Sequence, residues 1–444
     1  MKLPVAPPPW NELFDRYSGD LVRIMSKHPG PEVKGRYEHW DHLRHLSPPD
    51  GLTAEQWWLG IKMARIALQR RLPLEDKTDS AFKVVLSDSI QRKLFLVARD
   101  AAGALRGQDG VQSDSMRERY LVRSLMEEAM TSSQLEGAAT TTQVAKDMLR
   151  SGRQPRDYGE RMIWNNYVAM RELKEWRQRP LTPDAIFEMH RMLTEGTLED
   201  EGCAGRLRRE GEDIVVEDET GHVLHVPPLA RELPARLQAL CNFANQTDDD
   251  EHFIHPVVRA IIIHFQIGYD HPFVDGNGRT ARTLFYWSML RSGFWMSEYL
   301  SISSILKRAP AQYIRSYLYT ETDSSDTTYF VSHQLDVLLE AIDGVHGYIA
   351  RKQRDQEDAA ALLKPGSKLA RQLNHRQRAL LLNALKHPEK LFTIDVHRRT
   401  HDTSYQTARA DLLGLVDAGL MDQHRQGKAF VFIARPNLGK KLRG

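Results

Sequence analysis

Apolar residues recur at three- and four-residue spacing over most of this 444-residue chain, which predicts a mostly helical protein. Thr182-Pro183-Asp184 combines an N-cap, a proline at the first helical position and an acid in the first turn; it opens a helix to about Leu193. Pro256 starts another, with Val257, Ile261 and Phe265 on one face, and Ala281 to Leu290 reads as a third. A long helical pattern from Ser115 to about Met130 gives way to a small, polar stretch, Thr131 to Thr142, and resumes to Leu149. Ile214-Val215-Val216 and Val223-Leu224-His225-Val226, around Asp218-Glu219-Thr220-Gly221, predict a single hairpin that Pro227-Pro228 ends. In the N-terminal part, Pro7-Pro8-Pro9 and Pro48-Pro49-Asp50-Gly51 punctuate amphipathic segments whose Trp40, Trp57 and Trp58 are expected in a core. No internal repeat is visible.

A Gly/Ala-rich gap at Ala101 to Gln112 and a linker at Lys364-Pro365-Gly366-Ser367-Lys368 divide the chain into an N-terminal helical region (1–105), a central domain (106–350) and a C-terminal domain (366–444). In the last, Asn374 caps one helical pattern and Thr403 or Ser404 caps another, Tyr405 to Ala418. Strands Leu420 to His424 and Ala429 to Ile433 follow, around Gln426-Gly427. Three helices and a hairpin are the order of a winged helix-turn-helix.

Charge separates this block from the rest. The whole chain carries +2, residues 366–444 carry +9 and the remainder −7. An anionic partner is therefore expected for that block alone. Duplex DNA would meet Ser404 to Arg409 in a groove, helped by Arg398, Arg399 and Lys428; a protein-docking module fits the same charge. The two cysteines, Cys203 and Cys241, are too few for a disulfide framework or a cysteine-rich zinc site and fit a reducing compartment. Met1 to Trp10 lacks the apolar run of a signal peptide, and no apolar stretch of about 18 residues predicts a membrane span. The expected location is the cytoplasm.

The densest chemistry lies in His271-Pro272-Phe273-Val274-Asp275-Gly276-Asn277-Gly278-Arg279-Thr280-Ala281-Arg282. An imidazole suits a general base at neutral pH. A carboxylate four residues on can hold Mg²⁺. Gly276-Asn277-Gly278 exposes backbone N–H groups, and a helix starting there makes an anion site. Arg279 and Arg282, three apart on one helix face, suit a polyphosphate. A dinucleotide fold competes, since Gly276-x-Gly278-x-x-Ala281 fits its degenerate fingerprint and Glu298 follows about 20 residues on. That fold needs a strand directly before the glycines and alternating strands and helices around them, and neither is present. His190, His255 and His264 are expected to be structural.

The run resembles the signature of the Fic family, His-Pro-Phe-x-Asp/Glu-Gly-Asn-Gly-Arg-x-x-Arg, at every defined position, and the surrounding order is similar from about Arg117 to Phe330. The resemblance implies a mostly α, Fic-type helical core with one β-hairpin flap for target docking, here followed by the winged helix. It implies transfer of AMP from ATP, with Mg²⁺, to a Ser, Thr or Tyr hydroxyl of a target protein. His271 would deprotonate the hydroxyl and Asp275 would bind Mg²⁺. Gly276, Asn277 and Gly278 would line the anion hole, with Asn277 on the α-phosphate; Arg279 would meet the β-phosphate and Arg282 the γ-phosphate. Phe273 would anchor the loop in the core. Tyr313 falls where the family often places an aromatic near the nucleotide, a position that core packing explains equally. Ser132-Ser133-Gln134-Leu135-Glu136-Gly137 resembles the family's inhibitory motif; Ser132, Glu136 and Gly137 would belong to a helix whose Glu136 pairs with Arg282 in place of the γ-phosphate. Removal of AMP from a modified protein, and a nucleotide-sensing DNA-binding regulator, are the alternatives. Association with a second copy of the chain stays open.

Overall fold

The computed structural model describes the chain except residues 103–113, 219, 248, 251, 364–370, 388–389, 427–428, 437 and 443–444. The expected linker at 364–368, Gly427, Lys428 and most of the Ala101 to Gln112 boundary lie outside the described residues. The chain divides into two compact units, Met1–Leu105 with Val122–Ile342, and Arg106–Leu121 with Asp343–Gly444.

In the first unit, short helices at Trp10–Arg16, Leu21–Met25 and Trp40–Leu43 pack against helix α1 (Ala54–Leu68). Trp40, Trp57 and Trp58 are buried there with Leu13, Ile24 and Leu43, as their pattern predicts. A capping box between Thr53 and Gln56 starts α1. An antiparallel hairpin follows, β1 (Gln69–Glu75) with β2 (Ala81–Val85), which the sequence pattern does not predict. Arg70, Arg71 and Pro73 hide it, and the register slips between Arg71 and Glu75.

The next elements are α2 (Asp88–Ala102), α3 (Asp114–Leu135), α4 (Thr142–Ser151), α5 (Tyr158–Trp176) and α6 (Pro183–Thr194). The small, polar residues Thr131 to Leu135 were expected to interrupt the helix, but α3 runs through them. Their polar side chains find partners: Thr131 Oγ1 donates back to the i−4 helix carbonyl Glu127 O at 2.7 Å, and Ser133 Oγ donates to Met162 O on α5 at 3.1 Å. The helix stops at Gly137, whose φ of 93° lets Ala138 N–H bond back to Ser133 O and Gly137 N–H to Gln134 O. This Schellman turn makes Glu136 the C-cap. Thr182 caps α6 through Ala185 N–H, with Pro183 at its start, as expected.

A short hairpin comes next, β3 (Val216–Glu217) with β4 (Val223–His225); its first strand starts later than Ile214. Then follow α7 (Leu233–Ala244), α8 (Pro256–Asp270), α9 (Asn277–Arg291), α10 (Ile302–Leu306), α11 (Pro310–Thr322) and α12 (Thr328–Leu362). Helices α8 and α9 pack on each other at the centre, buried on nearly every side, with α5 and α6 against α9. The stretch Asp326-Thr327-Thr328 pins the β1–β2 hairpin: Thr328 Oγ1 accepts from Val85 N, and Thr327 Oγ1 donates to Lys83 O.

The second unit runs α13 (His375–Lys386), β5 (Phe392–Thr393), α14 (Ile394–Thr400), α15 (Tyr405–Asp417), β6 (Met421–Gln426) and β7 (Ala429–Ala434). The strands form a sheet in the order β5-β7-β6, so a short first strand joins the expected hairpin. Asn374 forms a capping box with Gln377, and Ser404 caps α15 through Thr407 N–H. Leu381, Ala384, Leu412, Leu415 and Phe432 lie in its core. Among the described residues, no helix is long and apolar enough to cross a membrane.

Candidate active site

Helix α8 ends at His271, held in the left-handed region at φ 42° and ψ 58°. This turns the chain into the loop 272–276 and directs it back along α9. The loop is stapled from within. Asn277, itself buried, accepts from Phe273 N–H at 2.9 Å through Oδ1 and donates to Phe273 O at 2.8 Å through Nδ2. The Asn277 side chain is therefore used on the loop backbone.

Two residues outside the motif brace the same loop, and the sequence pattern does not point to either in this role. His190 on α6 stacks on Phe273 at 3.8 Å and donates from Nε2 to Asp275 O at 2.8 Å, while its Nδ1 accepts from Gly205 N–H. That tautomer is neutral, and burial pushes the group down to about 4. Arg208 donates from Nε to His271 O at 2.8 Å. Gly276, at φ 80°, also needs its missing side chain, because a Cβ would fall 2.7 Å from Thr194 Cγ2.

No side chain caps α9, and its backbone ladder begins with Thr280 N–H to Gly276 O at 3.0 Å. The N–H groups of Asn277, Gly278 and Arg279 stand ahead of it at the positive end of the helix. His271 donates from Nδ1 to Gly268 O at 2.6 Å, so its Nε2 carries the lone pair. Burial lowers its pKa from the ordinary value, which keeps the imidazole neutral.

The two arginines of the run part company. Arg279 is fully buried and donates to Leu193 O at 2.8 Å and to the Asp275 carboxylate at 3.2 Å. Arg282 donates from Nε to Ser132 Oγ at 2.8 Å, and from Nη2 to Ser132 O at 3.0 Å and Glu136 Oε1 at 2.8 Å. Burial works against both charges of this last pair, but the surrounding charges, the partner's first among them, together outweigh it: Glu136 is held below its ordinary value and Arg282 above.

His271, Gly278, Arg282, Glu136 and Tyr313 line one cavity of about 330 Å³, walled by α11 and the β3–β4 hairpin. Tyr313 OH meets His264 Nε2 at 2.8 Å. From β4, His225 reaches Tyr269 O at 2.6 Å and closes one side. Asp275, with a side chain 45 % exposed, Gly276, Asn277 and Arg279 do not line this cavity; nor do Ser132 and Gly137. His255 caps α8, and His264 is buried in the core.

A neutral imidazole, an uncapped helix N-terminus and a buried guanidinium around one cavity form an arrangement able to activate a nucleophile beside a phosphate. Residues 180–289 match the model of the Fic/DOC family. Curated relatives named protein adenylyltransferase Fic include one from Nematostella vectensis, 34% identical over 118 residues, which are 27% of this chain and 25% of the relative. Another, from Drosophila yakuba, is 26% identical over 266 residues, 60% of this chain and 50% of the relative. The chain spans half or less of the length of these relatives. A solved Fic family protein from Desulfovibrio desulfuricans G20 shares the fold, with a TM-score of 0.51 and 17% identity, covering 78% of this chain and 97% of that one.

Proposed function

We propose that the chain transfers AMP from ATP to a hydroxyl of a target protein and that Glu136 restrains this activity. The observation that carries the reading is the cavity in which a neutral His271 faces Arg282 and the open start of α9. In the reaction His271 Nε2 takes the proton of the target hydroxyl, and the oxygen attacks the α-phosphorus. The bond from that phosphorus to the β-phosphate's bridging oxygen breaks, and pyrophosphate leaves. The N–H groups at Asn277 and Gly278 meet the charge that develops on the α-phosphate. Arg282 takes the γ-phosphate once Glu136 leaves it.

Asp275 fits Mg²⁺: it is a half-exposed oxygen donor beside the anion site. Among the described residues, no group of three or more His, Cys, Asp or Glu could hold a metal. An ion here would take one carboxylate, with phosphate oxygens and water completing its shell. When bound, it would neutralise charge on the phosphates. Removal of AMP, with Glu136 positioning water, would use the same groups.

Restraint follows from position. A Cβ on Gly278 would lie 2.1 Å from Glu136 Oε1, so this carboxylate rests against the start of α9 while binding Arg282. It takes one feature that would hold a phosphate, Arg282, and stands against the other, the uncapped start of α9.

The second unit supports a further partner, duplex DNA, and a cytoplasmic location is the setting in which both fit. The order of its helices α14 and α15 and of the β5-β7-β6 sheet supports a winged helix-turn-helix reading, and Tyr405, Gln406 and Arg409 are exposed at the start of α15. The transfer reading is tested by incubating the protein with ATP, Mg²⁺ and cell lysate, and analysing the lysate by mass spectrometry. AMP adducts on Ser, Thr or Tyr, with pyrophosphate released, are expected; phosphate adducts alone would overturn it.

A further inference from the structure

Helix α3 presents Glu128, Ser132 and Glu136 at four-residue spacing, on one face. Facing them on α9 are Arg282 and, one turn on, Tyr286. Ser132 and Glu136 take Arg282. Glu128 does something different. It is buried at 1% exposure and reaches across to the start of α10. Ser301 Oγ and Ser303 N–H each donate to its Oε2 at 3.0 Å, and Ser303 Oγ donates to its Oε1 at 2.5 Å. Tyr286 OH completes the corner, donating to Leu300 O at 3.2 Å and accepting from Ile302 N–H at 3.0 Å.

A buried carboxylate with this many donors is held in one place, because any slide of α3 leaves the charge and the N–H of Ser303 unpaired. Burial raises the pKa of Glu128 in spite of these bonds, so the group is costly where it stands. A second tie runs alongside: Lys307 donates to Gln134 Oε1 at 2.6 Å. Both ties attach α3 to the segment that leads into α11, the helix whose Tyr313 and Tyr317 wall the cavity.

We propose that Glu128 is the positioning residue of the restraint: its bonds to Ser301 and Ser303 set the axial position of α3 and thereby deliver Glu136 to Arg282. This rests on the restraining role of Glu136 given above. It also makes the α10 start a point from which the restraint is loosened, since a shift of Ser301 and Ser303 removes this tie without acting on Arg282 directly.

The test is labelling with tagged ATP by the full chain, comparing wild type, Glu128→Ala, Ser303→Ala, Glu136→Gly and Glu128→Ala/Glu136→Gly. Thermal melts identify variants that fail to fold. Glu128→Ala is expected to raise labelling about tenfold, the change that 1.4 kcal/mol of lost restraint produces. It should add nothing to Glu136→Gly. A residue that only supports the fold would lower labelling in both backgrounds, and that result would overturn the proposal. So would unchanged labelling in a folded Glu128→Ala protein while Glu136→Gly is activated. If Glu128→Ala does not fold, Ser303→Ala decides in the same way. If Glu136→Gly itself is not activated, the restraint fails and the anchor falls with it.

Discussion

The Glu136 carboxylate and the Arg282 guanidinium meet at 2.8 Å across 146 residues of sequence. Arg282 is 2% exposed in its side chain and Glu136 27%, so the pair is screened less than a surface one. On the proposed reading, a γ-phosphate displaces Glu136 from this guanidinium. Glu136→Gly is therefore expected to raise labelling by tagged ATP, with about tenfold corresponding to 1.4 kcal/mol of productive binding. Arg282→Ala should abolish the gain, and the double variant should label no better than Arg282→Ala alone. Equal labelling by wild type and Glu136→Gly would remove Glu136 from any restraining role.

In the proposed reaction the His271 imidazole acts on the target, and its Nδ1 is committed to Gly268 O. His271→Ala should end transfer and leave ATP binding, measured by calorimetry, nearly unchanged. The pH profile carries a sign as well. Burial lowers the pKa of His271 below 6.5, and only the neutral form accepts a proton. Activity should be present at neutral pH and fall as pH drops through that lowered value. The acid limb, measured in the Glu136→Gly background, is expected below 6.5; a limb above it would assign the base elsewhere.

The residues of the run that line the cavity, His271, Gly278 and Arg282, were legible as sequence because they lie within twelve contiguous residues, and the caps at Thr182, Asn374 and Ser404 are local signals. What holds the loop was not legible. His190 and Arg208 act through contacts 85 and 63 residues apart in sequence, and neither has a pattern of its own. Glu128 looks like any helical glutamate until Ser301 and Ser303 come beside it. The β1–β2 hairpin was missed because charge and Pro73 mask its alternation, and the polar end of α3 because its partners lie on α5, α9 and α10.

Asp275 offers the oxygen expected to hold Mg²⁺, and its other tie is to Arg279 at 3.2 Å. Chelation with EDTA should stop labelling and added Mg²⁺ should restore it. Asp275→Ala should be inactive at every Mg²⁺ concentration while still melting cooperatively. Full activity of Asp275→Ala would show that the carboxylate is not the metal ligand.

Asn277 pairs both polar groups of Phe273 inside the protein. Asn277→Ala should cost about 1–3 kcal/mol by leaving buried backbone groups unpaired. Urea unfolding measures this directly. Transfer should fall as well, because the N–H groups at the start of α9 lose their fixed geometry. Unchanged stability would mean that water replaces the amide.

The exposed start of α15 leads to a separate expectation for the full chain. It should bind duplex DNA with an affinity that falls steeply as salt rises, measured by fluorescence anisotropy. Arg409→Ala should weaken it. No binding at low salt would leave the second unit as a protein-docking module.

The central claim is that the α-phosphate, not the γ-phosphate, ends on protein, and that Glu136 limits its arrival. Wild type, Glu136→Gly and Glu136→Gly/His271→Ala can be given ATP labelled at either the α- or the γ-position, with Mg²⁺ and lysate. The account predicts protein-bound label from the α-position alone, strong for Glu136→Gly, weak for wild type and absent when His271 is lost. Label from the γ-position, or equal α-labelling by all three proteins, would contradict it.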